Sequence, residues 1–220
     1  MKPMKYWVIG LLLLSGLWPS QSVLAADPTD VGPAMPAVVV DGNATATSTA
    51  QVDVVAQTLA LVQVPDLRFQ AVKVKDLIQG PQTLAMVSGS VTKDGEGPGF
   101  DGDDQEQIVV EDYRGTNSGW QLLVKLDAFQ LADSSQTIMP TLAQFGPTNA
   151  MGVNVSGVGL SDANFADNDA PVVVAPADRG TGTTTIQIAT ASLTLPQTKS
   201  VLAGDYRAPL NWLLVSGPQP

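Results

Sequence analysis

The stretch that decides the fold is Trp120-Gln121-Leu122-Leu123-Val124-Lys125-Leu126-Asp127-Ala128. Trp120, Leu122, Val124, Leu126 and Ala128 alternate with Gln121, Leu123, Lys125 and Asp127, so an extended chain has one apolar face and one mostly polar face. A helix would scatter the same residues around its surface, so the stretch is a half-buried strand. The same period recurs in Tyr206, Leu210, Trp212 and Leu214 near the C-terminus. Between turn signals, further β-branched segments stand at Leu59–Val64, Leu67–Lys75, Thr83–Thr92, Gln107–Tyr113, Gly152–Leu160 and Thr183–Leu195. With Gly119–Phe129 and Tyr206–Ser216 they make about eight strands and no long helical period. The expected fold is therefore all-β, an antiparallel sandwich of Greek-key type.

The two strands that carry tryptophan share more than their period. Asp112-Tyr113-Arg114 precedes Trp120-Gln121-Leu122, and Asp205-Tyr206-Arg207 precedes Trp212-Leu213-Leu214. An antiparallel sandwich commonly returns a late strand beside an earlier one, which predicts that Trp120 and Trp212 lie close together. Two uses of these residues stay open. The rings pack the core, as tryptophan on an alternating strand usually does, or they form a platform on which a sugar stacks. Likewise, each Asp-Tyr-Arg triplet is either an ion pair at a strand entry or a set of hydrogen-bonding groups beside the ring.

The first 25 residues have the organisation of a secretory signal peptide: Lys2 and Lys5, an apolar core from about Trp7 to Trp18, and small residues at Ala25 and Ala26. The core is too short to span a bilayer, so no membrane association is expected once it is cleaved after Ala25. Cleavage removes two of the 11 basic residues and none of the 21 acidic ones, which leaves 9 against 21 and a net charge of −12. Trp120, Trp212, Tyr113 and Tyr206 are then the remaining tryptophans and tyrosines. Such acidity argues against nucleic acid as a partner. With no histidine and no cysteine, a usual zinc or copper site, a Ser-His-Asp triad, a thiol nucleophile and a disulfide framework are all excluded. An ordinary apolar core must hold the domain.

Residues 26–52, rich in Ala, Thr, Val and Pro, read as a mobile leader, and residues 53–220 as one folded domain. Two loops concentrate carboxylates: Asp94, Glu96, Asp101, Asp103, Asp104 and Glu106 in one, Asp162, Asp167 and Asp169 in the other. Either loop could bind Ca²⁺, but neither has EF-hand spacing, and the expectation is that no cofactor is bound. Leu195-Pro196-Gln197-Thr198-Lys199 resembles a sorting signal only until Lys199, and reads as a strand end broken by proline.

The paired motifs resemble those of the WxL family, exported surface proteins of Gram-positive bacteria whose C-terminal domain carries two Trp-x-Leu motifs. Arg114-Gly115-Thr116 through Gly119 is similar to the lead-in of the first motif, and Ala203-Gly204-Asp205-Tyr206 through Ser216-Gly217-Pro218 to the family's closing segment. The resemblance covers roughly Leu59 to the C-terminus. It implies a secreted, cell-surface β domain that binds the cell wall non-covalently through peptidoglycan or another wall glycan, beside other surface proteins. Trp120, Leu122, Trp212 and Leu214, with the two Asp-Tyr-Arg triplets, are the residues it marks. Asn211-Trp212-Leu213-Leu214-Val215 departs from the family in having apolar residues where Thr and Asp are usual.

Two other classes compete with wall attachment. A hydrolase would have to use paired carboxylates, but the acidic residues fall among Gly and Asn in loops that look hydrated, so no enzymatic activity is expected. An adhesin or scaffold would need a separate ligand module, and the leader is too short to be one.

Overall fold

The computed structural model describes residues 41–91 and 105–217. The expected signal peptide, the leader before residue 41 and the acidic run from Asp94 to Asp104 lie outside the described residues. The chain divides into two compact units, Met1–Val52 and Asp53–Pro220. Residues 41–52, the described part of the first, are exposed throughout.

The second unit is built almost wholly from strands. In chain order they are β1 (Leu59–Gln63), β2 (Gln82–Ala85), β3 (Gln107–Asp112), β4 (Trp120–Leu126), β5 (Phe129–Leu131), β6 (Thr137–Ile138), β7 (Leu142–Phe145) and β8 (Thr148–Asn149). They continue with β9 (Met151–Gly152), β10 (Gly159–Leu160), β11 (Ala170–Ala175), β12 (Gly182–Gln187), β13 (Ala191–Leu195), β14 (Tyr206–Arg207) and β15 (Leu210–Ser216). One short helix, α1 (Val74–Gln79), stands between β1 and β2. The strands form a four-stranded sheet in the order β1-β3-β12-β9 and a five-stranded sheet in the order β15-β4-β11-β10-β8. Two three-stranded sheets, β2-β13-β7 and β14-β5-β6, complete the set. Every ladder between these strands is antiparallel.

The expected all-β antiparallel architecture is present, but the strands are shorter and more numerous than the eight expected. Each difference has a local cause. Thr183–Leu195 is two strands, because the chain turns at Ala189 and Thr190, where the Thr190 carbonyl accepts a hydrogen bond from the Gly146 amide at 2.8 Å. Tyr206–Ser216 is also two, separated at Pro209, which has no N–H to offer a ladder. Leu67–Lys75 is not a strand. Its end enters α1, where Val74 and Leu77 stand three residues apart and Leu77 is buried. β11, which contains Pro171 and is followed by Pro176, was not among the expected strands, yet it is the central strand of the larger sheet. The register shifts between Pro171 and Val173, and this bulge is what admits the proline and turns both Val172 and Val173 inward.

The core confirms the alternation of β4. Trp120, Leu122 and Val124 are fully buried and Leu126 nearly so, while the residues between them are half-exposed. Ile108 and Val110 of β3 and Ile186 of β12 face them from the smaller sheet, joined by Phe145 of β7 and Leu193 of β13 in one continuous cluster. Each fully buried aliphatic side chain here contributes on the order of 1.5–3 kcal/mol. Thr184 interrupts this core: it is buried at an inward position of β12 and its hydroxyl has no hydrogen-bond partner.

Candidate functional site

The two motifs lie on neighbouring strands. β15 pairs with β4, placing Trp212 opposite Val124, Leu214 opposite Leu122 and Ser216 opposite Trp120. Both tryptophans therefore point to the inner face, but four residues separate them along the strands, roughly 13 Å at the usual rise. The expectation that they lie close together holds for the strands and fails for the rings. Their surroundings differ accordingly.

Trp120 is enclosed. β4 is flanked by β15 and β11, and the indole Nε1 donates to the Gly180 carbonyl at 3.0 Å. Gly180 has φ of +72°, and a Cβ there would stand 2.5 Å from the indole nitrogen and 2.8 Å from the Ala175 Cβ. Only glycine fits beside the ring. No sequence signal singled out Gly180, which stands in a polar, glycine-rich turn.

The first Asp-Tyr-Arg triplet belongs to the same enclosed end. Asp112 is buried at the end of β3, and Arg114 grips it with two bonds, Nε to Oδ1 at 2.8 Å and Nη2 to Oδ2 at 2.7 Å. The Arg114 amide also donates to Oδ1, at 3.2 Å. The same guanidinium donates to the Gly119 carbonyl at 2.8 Å and to the Ser216 hydroxyl. One side chain thus ties the end of β3 in the smaller sheet to the start of β4 and the end of β15 in the larger one. The Arg114 hydrogen bonds hold the Asp112 carboxyl below the usual carboxylate range against the opposing effect of burial, and Asp112 in turn raises the Arg114 pKa. Tyr113 points the other way; it is exposed, with its hydroxyl 2.9 Å from the Thr183 hydroxyl.

The second motif is placed differently. β15 is the outermost strand of its sheet, so Trp212 and Leu214 are only half-buried. The Trp212 ring stacks on Phe145 with centroids 6.1 Å apart and planes 16° from parallel, and Phe145 packs on Phe165 at 4.6 Å. The partnership of Trp212 with these two phenylalanines was not legible from the spacing of the motifs. Asp205 is exposed, Tyr206 and Arg207 pair with Leu131 and Gln130 of β5, and the Tyr206 hydroxyl lies 3.1 Å from both Gln136 Oε1 and the Leu202 carbonyl. The two triplets, alike in sequence, thus have unlike roles.

Beside the second motif opens a groove of about 1630 Å³. Its lining includes Asp205, Tyr206, Arg207, Leu210, Asn211 and Trp212, together with many residues between Leu61 and Leu77. Trp120, Leu122, Asp112, Tyr113, Arg114 and Leu214 do not line it. Trp120, Leu122, Asp112 and Arg114 therefore belong to an enclosed structural end and Asp205, Tyr206, Arg207 and Trp212 to an open groove, while Tyr113 and Leu214 belong to neither.

The carboxylates outside the groove are engaged or dispersed. Asp127 lies 3.1 Å from Lys125 Nζ and accepts a bond from the Asn211 amide at 2.8 Å; this contact raises the Lys125 pKa. Among the described residues no group of three or more acidic side chains is arranged to hold a metal ion, the loop with Asp162, Asp167 and Asp169 included. Of the first acidic loop only Glu106 is described. Leu195 ends β13 immediately before Pro196, as expected of a strand stopped by proline. Among the described residues no helix is long and apolar enough to cross a membrane.

Compared with known proteins, residues 19–218 match the family model described as WxL domain, surface cell wall-binding. No curated protein and no solved structure matches the chain.

Proposed function

The chain belongs to the WxL domain family of surface cell wall-binding domains, and we propose that it is an exported, non-enzymatic protein that attaches without a covalent bond to peptidoglycan. The observation that carries this is the family match over nearly the whole chain, in which both Trp-x-Leu motifs fall. In the proposed arrangement the two motifs divide the work. Trp120, Leu122, Asp112 and Arg114 hold the domain together, and the groove beside Trp212, Tyr206 and Arg207 meets the wall. The family is one of wall-binding surface domains rather than of enzymes. The absence of histidine and cysteine supports a binding role, because it removes imidazole and thiolate chemistry and leaves a hydrolase to rely chiefly on carboxylates. In this reading the protein is a small component of a surface complex.

The test is sedimentation of the purified chain, from residue 26 onward, with purified peptidoglycan. Binding that is lost in Trp212→Ala while its melting transition stays cooperative supports the groove as the contact. Full binding by Trp212→Ala and by an Arg207→Ala variant would remove the groove from the proposal. Release of reducing sugar from the wall would overturn the non-enzymatic part.

A further inference from the structure

We propose that the groove beside Trp212 takes the short peptide of the wall polymer rather than its sugar chain. This rests on the wall-binding reading and names the part of the polymer that is held. Three observations carry it.

The first is the state of the aromatic rings. A sugar platform needs a ring face open to solvent, because stacking uses the whole face of the pyranose. Phe69, Phe129, Tyr206 and Trp212, the aromatic residues that line the groove, are all half-buried, and Trp212 is stacked on Phe145. Much of the remaining lining is aliphatic, with Leu61, Val64, Leu77 and Leu84 among it. Small aliphatic side chains of a peptide, alanine above all, fit such a surface; the hydroxyl-covered edges of a glycan do not.

The second is charge. The groove lining carries charges of both signs, Asp66, Asp133 and Asp205 with Arg68 and Arg207. A ligand that bears both an amine and a carboxylate, as wall peptides with a diamino acid and a free carboxyl end do, is matched by a lining of mixed sign. A neutral sugar chain has no charge to pair with them, and a polyanion is opposed by three of the five in a chain whose net charge from residue 26 onward is −12.

The third is the backbone. β14 and β15, which supply Tyr206, Arg207 and Leu210 through Trp212 to the groove, are the outermost strands of their sheets. An outermost strand has N–H and C=O groups on its open side that an extended peptide can pair with, and a glycan has no such repeating pattern of donors and acceptors.

The experiment measures binding to the whole mature chain by calorimetry, with three probes: a synthetic stem pentapeptide ending in D-Ala-D-Ala, chitotetraose as a peptide-free sugar chain, and intact peptidoglycan by sedimentation. The expected result is binding of the pentapeptide and none of chitotetraose. Arg68→Ala and Asp205→Asn, both exposed positions, should each weaken the pentapeptide about fivefold, as the loss of one partly screened charge pair does. Leu213→Lys, which is 53% exposed and outside the groove, should leave it unchanged. Binding of chitotetraose without the pentapeptide overturns the inference and leaves wall attachment standing. So does binding of intact wall with neither fragment bound. Pentapeptide binding that ignores both charge variants overturns the groove as its place. Failure of all three probes, intact wall included, is failure of the wall-binding reading itself.

Discussion

Trp120 and Trp212 share a motif, a sheet and a face, yet their removal should have unequal consequences. Trp120→Ala deletes a fully buried indole from the middle of the larger sheet, which costs about 3–5 kcal/mol through lost transfer energy and the cavity left behind. It also leaves the Gly180 carbonyl without its donor at 3.0 Å, adding roughly 1 kcal/mol or more. Trp212→Ala removes a half-buried ring, so its transfer contribution is about half as large, with roughly 0.5–1.5 kcal/mol more for the stack on Phe145. The expected costs are therefore on the order of 4–6 and 2–4 kcal/mol. Because the rings are separated by four residues along paired strands, the double variant should be additive to within about 0.5 kcal/mol. Urea melts followed by far-ultraviolet circular dichroism measure all three on one scale. Equal costs for the two single variants, or a coupling well above about 1 kcal/mol, would refute the separate placement of the rings.

Five further outcomes are expected. Arg114→Ala should cost about 3–5 kcal/mol, since it leaves Asp112 buried without its partner. The Asp112 carboxyl is held below its ordinary value, so its contribution is complete above that value and is lost as pH falls through the lowered one; in acid titrations Asp112→Asn should lack this part of the stability loss below about pH 4. Gly180→Ala should destabilise by roughly 2–4 kcal/mol in thermal melts, because it combines a positive φ with a Cβ driven into the Trp120 ring, whereas Gly115→Ala, with φ of +69° and open space around it, should cost only about 1 kcal/mol. Thr184→Val should raise stability by roughly 0.5–1.5 kcal/mol, as it removes a buried hydroxyl with no partner and keeps the shape; a lowered melting temperature would show that the hydroxyl is satisfied after all. Finally, if wall polymers are anionic, added salt at pH 7 should strengthen sedimentation with the wall by screening the net charge of −12 that the chain carries from residue 26 onward, and lowering the pH to 5 should act the same way.

Much of the fold was legible because alternation is a short-range signal. β1, β3 and β4 stand close to where the sequence places them, and in β3 and β4 buried residues alternate with half-buried ones. β11 was hidden by the features that make it central: Val172 and Val173 both point inward at a bulge, which breaks the alternation, and Pro171 suggests an edge. The triplets show the same limit at the level of the site. An Asp two residues before an Arg is enough to suggest an ion pair, and Asp112 with Arg114 forms one. No local signal says that the guanidinium would also reach Gly119 and Ser216, because Ser216 arrives from about a hundred residues further along the chain. The phenylalanines that support Trp212, and the residues between Leu61 and Leu77 that line the groove, are long-range in the same sense.

The repeated motif means different things in its two copies because a strand's place in its sheet, and not its sequence, decides what can reach it. β4 has a strand on each side, so the ring of Trp120 is closed in from both, and its one polar atom must find a partner inside the protein. β15 has a strand on one side only, so Trp212 is left beside a groove. The same geometry accounts for the apolar departure in Leu213 and Val215. These residues stand opposite Leu123 and Gln121, on the outward face of the sheet, while Trp212 and Leu214 stand opposite the buried Val124 and Leu122. The unusual residues therefore alter the outer surface and leave the chemistry of the groove to Trp212, Asn211 and the second Asp-Tyr-Arg triplet. Replacing Leu213 by threonine should accordingly change the solubility of the protein and not its binding to the wall, and a loss of wall binding in that variant would place the contact on the outer face instead.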